Sequence, residues 1–138
     1  MSEHDVELTR RFIAAWNTRD VEAIIAYCGE SLEFQSRWVD EVYHGHDGFR
    51  TFHRDMKDAW GDEIRIEPDA YFDLGEQVLS FYVIHARGEH SGVEVAMPVT
   101  GVARWRDGLL AYWKSYTHRE DALRDLGVSE DELEPIAP

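Results

Sequence analysis

Hydrophobic residues in the first third of the chain recur at three- and four-residue intervals, the spacing of a helix with one buried face. The first stripe predicts a helix and comprises Val6, Leu8, Phe12, Ile13, Ala15 and Trp16. Asp20 can cap a second helix that Gly29 ends. Another stripe predicts a third helix, with His53 on its buried side, and comprises Phe49, Phe52, His53, Met56, Ala59 and Trp60.

Elsewhere hydrophobic and polar residues alternate with a period of two, which is typical of half-buried strands. A first strand begins near Leu32 and has Phe34 and Ser36 on its apolar face. Residues 63–118 read as four long strands separated by turns at 73–75, 88–92 and 106–108. A meander after helices predicts an α+β fold with an antiparallel sheet, and a short final helix over 119–126 that Gly127 ends.

The strand that starts near Gln77 is apolar on both faces. Leu79, Phe81 and Val83 share one face with His85 and Arg87, and the opposite face is also largely apolar. A sheet with one face in water should alternate cleanly between apolar and polar residues. The pattern therefore predicts a homodimer formed through the outer sheet face.

Length and charge narrow the class of protein. A chain of 138 residues predicts one domain over 1–138, with 128–138 as a solvated acidic tail. The net charge of −14 argues against nucleic acid or an anionic membrane surface as a partner. The lone Cys28, the absence of a secretory signal and the lack of a long apolar run favour a cytoplasmic location.

Three segments carry a resemblance to a known family. They are RFIAAWNTRD at 11–20, YHGHDGF at 43–49 and ARWRDG at 103–108. In this layout the chain resembles the SnoaL-like branch of the nuclear transport factor 2-like superfamily. The resemblance implies a cone-shaped α+β barrel, with three N-terminal helices packed on a strongly curved antiparallel sheet and a short C-terminal helix. It also implies a deep pocket, used in that family for polyketide cyclisation, steroid isomerisation, dehydration or plain binding.

The acid and base positions of that family are altered here. Phe12 stands where related steroid isomerases have a tyrosine, and Ser36 stands where they have an aspartate base. Gly101 stands where isomerases and cyclases tend to carry an acidic residue, and no Asp or Glu occurs between 95 and 105. Steroid isomerisation by the usual mechanism is therefore not expected.

The family's pocket-facing register points His85 and Arg87 into the cone, with His53 approaching from the third helix. His85 is then the predicted acid/base, His53 its helper and Arg87 the anion stabiliser. The alternative is that both histidines are hydrogen-bonded structural groups and that Arg87 faces water.

The remaining pocket residues are aromatic, apolar or hydroxyl-bearing, and suit a flat, mainly apolar ligand unless they simply fill the core. This predicted lining comprises Phe12, Trp16, Phe34, Ser36, Phe52, Met97, Val99 and Trp113.

His44 and His46 do not predict a metal site, because they precede an amphipathic helix and lack further ligands at suitable spacing. The sequence thus predicts a cofactor-free protein that binds a small hydrophobic, carbonyl- or ring-containing metabolite. Its expected chemistry, if it has one, is proton transfer of the cyclase, isomerase or dehydratase type. The alternative is a non-catalytic ligand-binding or dimerisation module of the same fold.

Overall fold

The computed structural model describes residues 2–37, 40–87 and 92–138. The predicted turn at 88–92 falls largely outside these ranges. In chain order the elements are α1 (Ser2–Trp16), α2 (Val21–Ile25), β1 (Cys28–Gln35), β2 (Val42–His44), α3 (Gly45–Trp60), β3 (Arg65–Asp73), β4 (Val78–Arg87), β5 (Glu94–Arg106), β6 (Leu109–Tyr116), α4 (Arg119–Leu126) and a 3-10 turn at Glu130–Glu132.

The six strands form one mixed sheet in the order β2-β1-β6-β5-β4-β3. The pairs β3–β4, β4–β5, β5–β6 and β1–β2 are antiparallel, as a meander requires. The expectation of a wholly antiparallel sheet is wrong at one place, since β1 runs parallel to β6 with Phe34 opposite Trp113. The sheet is mixed because α3 and four further strands lie between these two in the chain, and β6 runs beside β1 in the same direction.

In the part of the chain that the structure describes, four α-helices accompany the sheet, and none combines the length and apolarity needed to cross a membrane. The second helix is shorter than predicted. Asp20 caps it by accepting from the backbone N–H groups of Glu22 and Ala23, but it ends at Ile25. The chain then enters the sheet, because the N–H of Leu110 donates to the Tyr27 carbonyl at 2.8 Å. Gly29 therefore lies within β1 rather than at a helix end.

The outer face of the sheet is covered in part by the chain itself. A second apolar cluster joins the strands to α4 and consists of Phe72, Leu79, Phe81, Val102 and Ala122. The two-sided apolar pattern of β4 therefore has an explanation within one chain, since Leu79 and Phe81 are buried in this cluster. A homodimer through the outer face remains a prediction.

The segment after Gly127 is not simply a solvated tail. Leu133 packs against the outer cluster. Ile136 forms two backbone hydrogen bonds with Tyr71 of β3, at 2.9 and 2.7 Å. Arg10 of α1 donates to the Ala137 carbonyl at 2.6 Å. The segment therefore covers part of the edge strand β3, whose backbone groups would otherwise be open to pairing with another chain.

Deletion of residues 128–138 should lower the stability of the fold and promote self-association. Among the side chains lost, Leu133 and Ile136 are half-buried against the rest of the fold, and their burial alone corresponds to about 2 kcal/mol of unfolding free energy. Urea denaturation and size-exclusion chromatography measure the two effects. Removal of Pro138 alone is the matched control, and equal behaviour of the two truncations would contradict an anchoring role for this segment.

Candidate functional site

A cavity lies between α1, α3 and the inner face of the sheet. Its volume is about 40 Å³, which on the order of three water molecules would fill. The lining residues are Phe12, Ile13, Trp16, Phe34, Ser36, Arg37, Phe52, Met56, Ile64, Ile66, Tyr82, Ile84, Val99, Trp113 and Ser115. The cavity is therefore a narrow slot with a wall that is apolar over most of its extent.

Aromatic rings from the two helices and the sheet form much of this wall. The ring centroids of Phe34 and Phe52 are 4.7 Å apart, and those of Phe12 and Trp113 are 5.5 Å apart. Trp16 meets Phe52 edge to face at 6.0 Å. These tilted and edge-on contacts are the arrangements that aromatic rings favour, and they hold the wall together around the slot.

The polar groups of the lining come from β6, β4 and the end of β1. The indole N–H of Trp113 donates to Oγ of Ser115 at 2.8 Å, and the Tyr82 hydroxyl lies 3.4 Å from the same oxygen. Ser36 is also buried and lines the cavity. Arg37, the next residue, donates to the Met97 sulfur at 3.2 Å and to the Pro98 carbonyl at 3.5 Å. We refer to Ser36, Arg37, Tyr82 and Ser115 as the polar end.

Burial changes the acid–base properties of this end. It raises the pKa of Tyr82 to about 12, against the smaller opposing effects of Ser115, Arg37 and Trp113. It also lowers the pKa of Arg37, whereas the nearby Tyr82 raises it. At neutral pH the site therefore presents a protonated phenol and a guanidinium, and both groups are hydrogen-bond donors.

The polar end opens onto the surface. Ser36, Arg37 and Ser115 also line an exterior groove of about 550 Å³ between β6 and α4. Lys114 and Asp125 form an ion pair at 3.7 Å in this groove. The cavity and the groove therefore adjoin at these three residues.

Gly101 determines where Trp113 lies. A Cβ atom built at Gly101 would meet Cζ2 of Trp113 at 2.5 Å, which is too close for any real contact. Position 101 is the one at which the family resemblance implies an acidic residue. The indole fills the space that a side chain at 101 would need, so an aromatic wall lies there rather than an opening.

The predicted lining residues are brought together, with one exception. Phe12, Trp16, Phe34, Ser36, Phe52, Val99 and Trp113 all line the cavity. Met97 lies beside it, partly buried against the core, with its sulfur on Arg37. Their role in binding a substrate stays a prediction.

The predicted placement of His85 and Arg87 inside the cavity is wrong. His85 lies 3.1 Å from a carboxylate oxygen of Glu67, and Arg87 pairs with Glu63 and Glu94. Both line a different, exposed groove at the end of β4. The physical reason is register: Tyr82 pairs with Val99 and Ile84 with Met97, so the even-numbered residues of β4 share the inner face with Val99.

His53 lies behind the cavity wall rather than in it. Its ring centroid is 5.4 Å from that of Trp16. It lines a small outer pocket that shares Trp16, Met56 and Ile64 with the cavity. Burial lowers its pKa, and the positive charge of Lys57 lowers it further. His53 and His85 therefore do not share one cavity.

Sequence reasoning missed Arg37, Tyr82 and Ser115. The sequence contained the information needed to find Tyr82. Alternation along β4 places Tyr82 and His85 on opposite faces of the sheet, and antiparallel pairing with β5 then determines which face is the inner one. Ser115 likewise lies two residues from Trp113 on the same face of β6. Arg37 lies just beyond β1, where the strand pattern no longer determines side-chain direction.

A metal site is not formed by the described residues. They contain no group of three or more His, Cys, Asp or Glu positioned to hold an ion. His46 instead donates through Nε2 to the Cys28 carbonyl at 2.8 Å.

The architecture is that of the nuclear transport factor 2-like proteins, six strands curved around helices with a cavity between them. Residues 9–113 match the SnoaL-like domain, and the chain therefore belongs to the SnoaL-like family. No protein of curated function is significantly similar to it.

Solved structures of low sequence identity share the fold. A nuclear transport factor 2-like protein of unknown function from Burkholderia pseudomallei is 18% identical, with a TM-score of 0.74 over 86% of this chain and 94% of that one. A polyketide cyclase-like protein from Xanthomonas campestris is 19% identical, with a TM-score of 0.70 over 89% and 96%. TerC, co-crystallised with polyporic acid, is 18% identical, with a TM-score of 0.73 over 88% and 95%.

Gly101→Ala should destabilise the protein by about 1–3 kcal/mol, because the added methyl group overlaps the Trp113 ring. The same change in a Trp113→Leu background should cost much less, since the indole is gone. Urea unfolding of the four proteins gives the coupling energy. Equal costs in both backgrounds would show that the indole is not what excludes a side chain at 101.

His53 should titrate below the usual histidine range in NMR, and Lys57→Met should raise its pKa because a nearby positive charge is removed. Lys114→Met, which removes an equal charge elsewhere, is the control and should leave His53 unchanged. Since the folded pKa lies below the unfolded one, His53 should make the protein less stable as pH falls through about 6.5. A His53 pKa at or above the ordinary value would contradict this environment.

Proposed function

We propose that this protein binds a small, mainly apolar molecule that carries at least one oxygen acceptor. The molecule's apolar part lies between α1, α3 and the sheet, and its oxygen lies at the polar end. The observation that supports this most directly is the asymmetry of the cavity. Its wall is aromatic and aliphatic except where Tyr82, Ser115, Ser36 and Arg37 converge, which is the composition of small-molecule sites in general.

The size of the cavity limits how the ligand enters. A cavity able to hold a benzene ring is on the order of 150 Å³, compared with about 40 Å³ here. A ring-containing ligand therefore requires part of the wall to move. Trp16, Met56 and Ile64 are well placed to do so, because they line both the cavity and the outer pocket beside His53.

The binding site can be tested with a ketone and a hydrocarbon of the same shape, 1-indanone and indane. Loss of the Tyr82 hydroxyl in Tyr82→Phe removes one hydrogen bond, so the affinity for indanone should fall about fivefold while that for indane is unchanged. Quenching of tryptophan fluorescence reports binding, because Trp16 and Trp113 line the cavity.

Tyr112→Phe is the matched control, because Tyr112 faces Arg104 on the other side of β6. Val99→Phe, which fills the cavity, should abolish binding of both compounds. Binding that survives Val99→Phe in a folded protein would refute the proposed location. Equal effects of Tyr82→Phe and Tyr112→Phe would refute the proposed role of the polar end.

A second candidate function is proton transfer at a carbonyl compound, as in a cyclase or isomerase. It is supported by the buried Tyr82 phenol, which is protonated at neutral pH and can donate to a developing enolate oxygen. It is supported also by the similarity in fold to a polyketide cyclase-like protein. Among the described lining residues none carries a carboxylate or an imidazole, so His53 would serve as base only after the wall at Trp16 opens.

Deuterium incorporation next to the carbonyl of 1-indanone in D₂O tests this activity. If the site stabilises the enolate, the protein should accelerate exchange, and Tyr82→Phe should reduce the acceleration by about 100-fold. His53→Asn should reduce it as well if the imidazole is the base. Binding of indanone without accelerated exchange would favour the alternative of a non-catalytic ligand-binding protein.

A further inference from the structure

The outer pocket beside His53 adjoins the cavity. The cavity has a volume of about 40 Å³ and the outer pocket one of about 30 Å³, and both are lined by Trp16, Met56 and Ile64. Neither space alone accommodates an aromatic ring, which requires on the order of 150 Å³. Rotation of the Trp16 side chain out of the wall would join the two spaces and vacate room for a flat ring system.

Trp16 is the least restrained aromatic residue of the cavity wall. It is half-buried, whereas the other aromatic residues that line the cavity are almost fully buried. The indole N–H of Trp113 donates to Ser115 at 2.8 Å. That of Trp105, elsewhere in the core, donates to Thr9 at 2.9 Å. In the part of the chain that the structure describes, the Trp16 indole makes no such bond, so it can turn without breaking one.

The backbone beside Trp16 is held in place. Helix α1 ends at Trp16, and the next side chain, that of Asn17, is bonded to β3 in both directions. Its Nδ2 donates to the Ile66 carbonyl at 2.8 Å, and the Ile66 N–H donates to its Oδ1 at 2.7 Å. Movement at this point is therefore confined to the Trp16 side chain. The indole would give up tilted and edge-on contacts with three rings of α3, and a ring of the ligand can replace them.

The outer pocket has polar groups of its own. Its charged side chains are those of Arg19, Lys57 and Asp62, and the last two form an ion pair at 3.3 Å. Burial and the charge of Lys57 lower the pKa of His53, so at neutral pH its imidazole is uncharged and can both donate and accept a hydrogen bond. Among the described residues that line this pocket, none belongs to the polar end of the cavity. The two polar regions are therefore distinct.

We propose that the outer pocket is a second subsite for the ligand, and that the natural ligand is a flat, elongated molecule with an oxygen atom at each end. One oxygen binds at the polar end, the ring system takes the place of the displaced Trp16 indole, and the second oxygen binds beside His53. This inference rests on the proposed function and narrows it from a molecule with at least one oxygen to one with two, at opposite ends.

Two rigid ketones of equal length test the second subsite at pH 7. They are 4-acetyl-4′-hydroxybiphenyl and 4-acetyl-4′-methylbiphenyl, which differ only in whether the far end carries an oxygen. The wild-type protein should bind the hydroxy compound about fivefold more tightly, which corresponds to one additional hydrogen bond. In NMR, the 4′-methyl group of the second compound should show nuclear Overhauser effects to the His53 ring, and its acetyl methyl group to the Tyr82 ring.

His53→Leu should remove the preference for the hydroxy compound, because an apolar side chain of similar size cannot hydrogen-bond to the second oxygen. His85→Leu is the matched control. It makes the same replacement in the separate exposed groove at the end of β4 and should leave the preference unchanged. Melting temperatures establish that each variant is folded.

The role of Trp16 is tested by stopped-flow fluorescence. Trp16→Ala should raise the association rate constant of both biphenyls about tenfold, because the site no longer depends on an open state populated at about 10% or less. Met56→Ala shortens another residue that lines both spaces, and as the control it should accelerate association less.

The outcomes separate this inference from the proposed function. Equal wild-type affinities for the two biphenyls, a preference that His53→Leu retains, a 4′-methyl contact with Tyr82, or binding of 1-indanone without either biphenyl would overturn the second subsite. Association that Trp16→Ala does not accelerate, or that Met56→Ala accelerates more, would overturn the role of Trp16. Failure of 1-indanone, indane and both biphenyls to bind would instead contradict the proposed function. The wild-type affinities and methyl contacts decide the inference if His53→Leu fails to fold.

Discussion

The contact between Trp113 and Gly101 fixes the shape of the interior. Because position 101 has no side chain, the indole of Trp113 can lie against the backbone of β5, where any Cβ atom would collide with it. From there the ring packs on Phe12 of α1 and its N–H reaches Ser115. One residue thus joins the helix layer to the sheet, forms part of the apolar wall and orients a hydroxyl at the polar end. Both the volume and the chemistry of the cavity follow from this contact.

The cavity combines two kinds of surface that favour different parts of a ligand. Its aromatic wall excludes water, so burial of a ligand's apolar surface there contributes about 25 cal/mol of binding free energy per Å² removed from water. Its polar end is rich in donors, and the low-dielectric surroundings strengthen any hydrogen bond formed there. The same burial raises the pKa of Tyr82 and lowers that of Arg37. We therefore expect the aromatic wall to supply most of the binding affinity, and the polar end to determine which ligands bind.

The sequence determined the elements better than it determined the site. The sequence predicted α1, α3 and the strands because each of these elements buries one face, and that face has a regular hydrophobic period. It did not predict the parallel pairing of β1 with β6, because that pairing depends on where distant segments of the chain meet. The aromatic lining was found because bulky rings mark a buried face, whether or not that face encloses a cavity. His85 was misplaced because one residue of register reverses every side chain of a strand, and Arg37 was overlooked because it lies beyond the strand pattern.

The parallel pairing of β1 with β6 also affects how the chain folds during its synthesis. The partner of β1 lies near the far end of the sheet-forming sequence, so during synthesis the Phe34 strand emerges from the ribosome long before the Trp113 strand. Non-local pairing of this kind slows folding, and it leaves the backbone N–H and C=O groups along one edge of β1 without a partner strand in the nascent chain. Helix α3 follows β1 in the chain and packs against it. Its early docking covers the apolar face of that strand, which protects the nascent chain against aggregation and later forms a wall of the mature cavity.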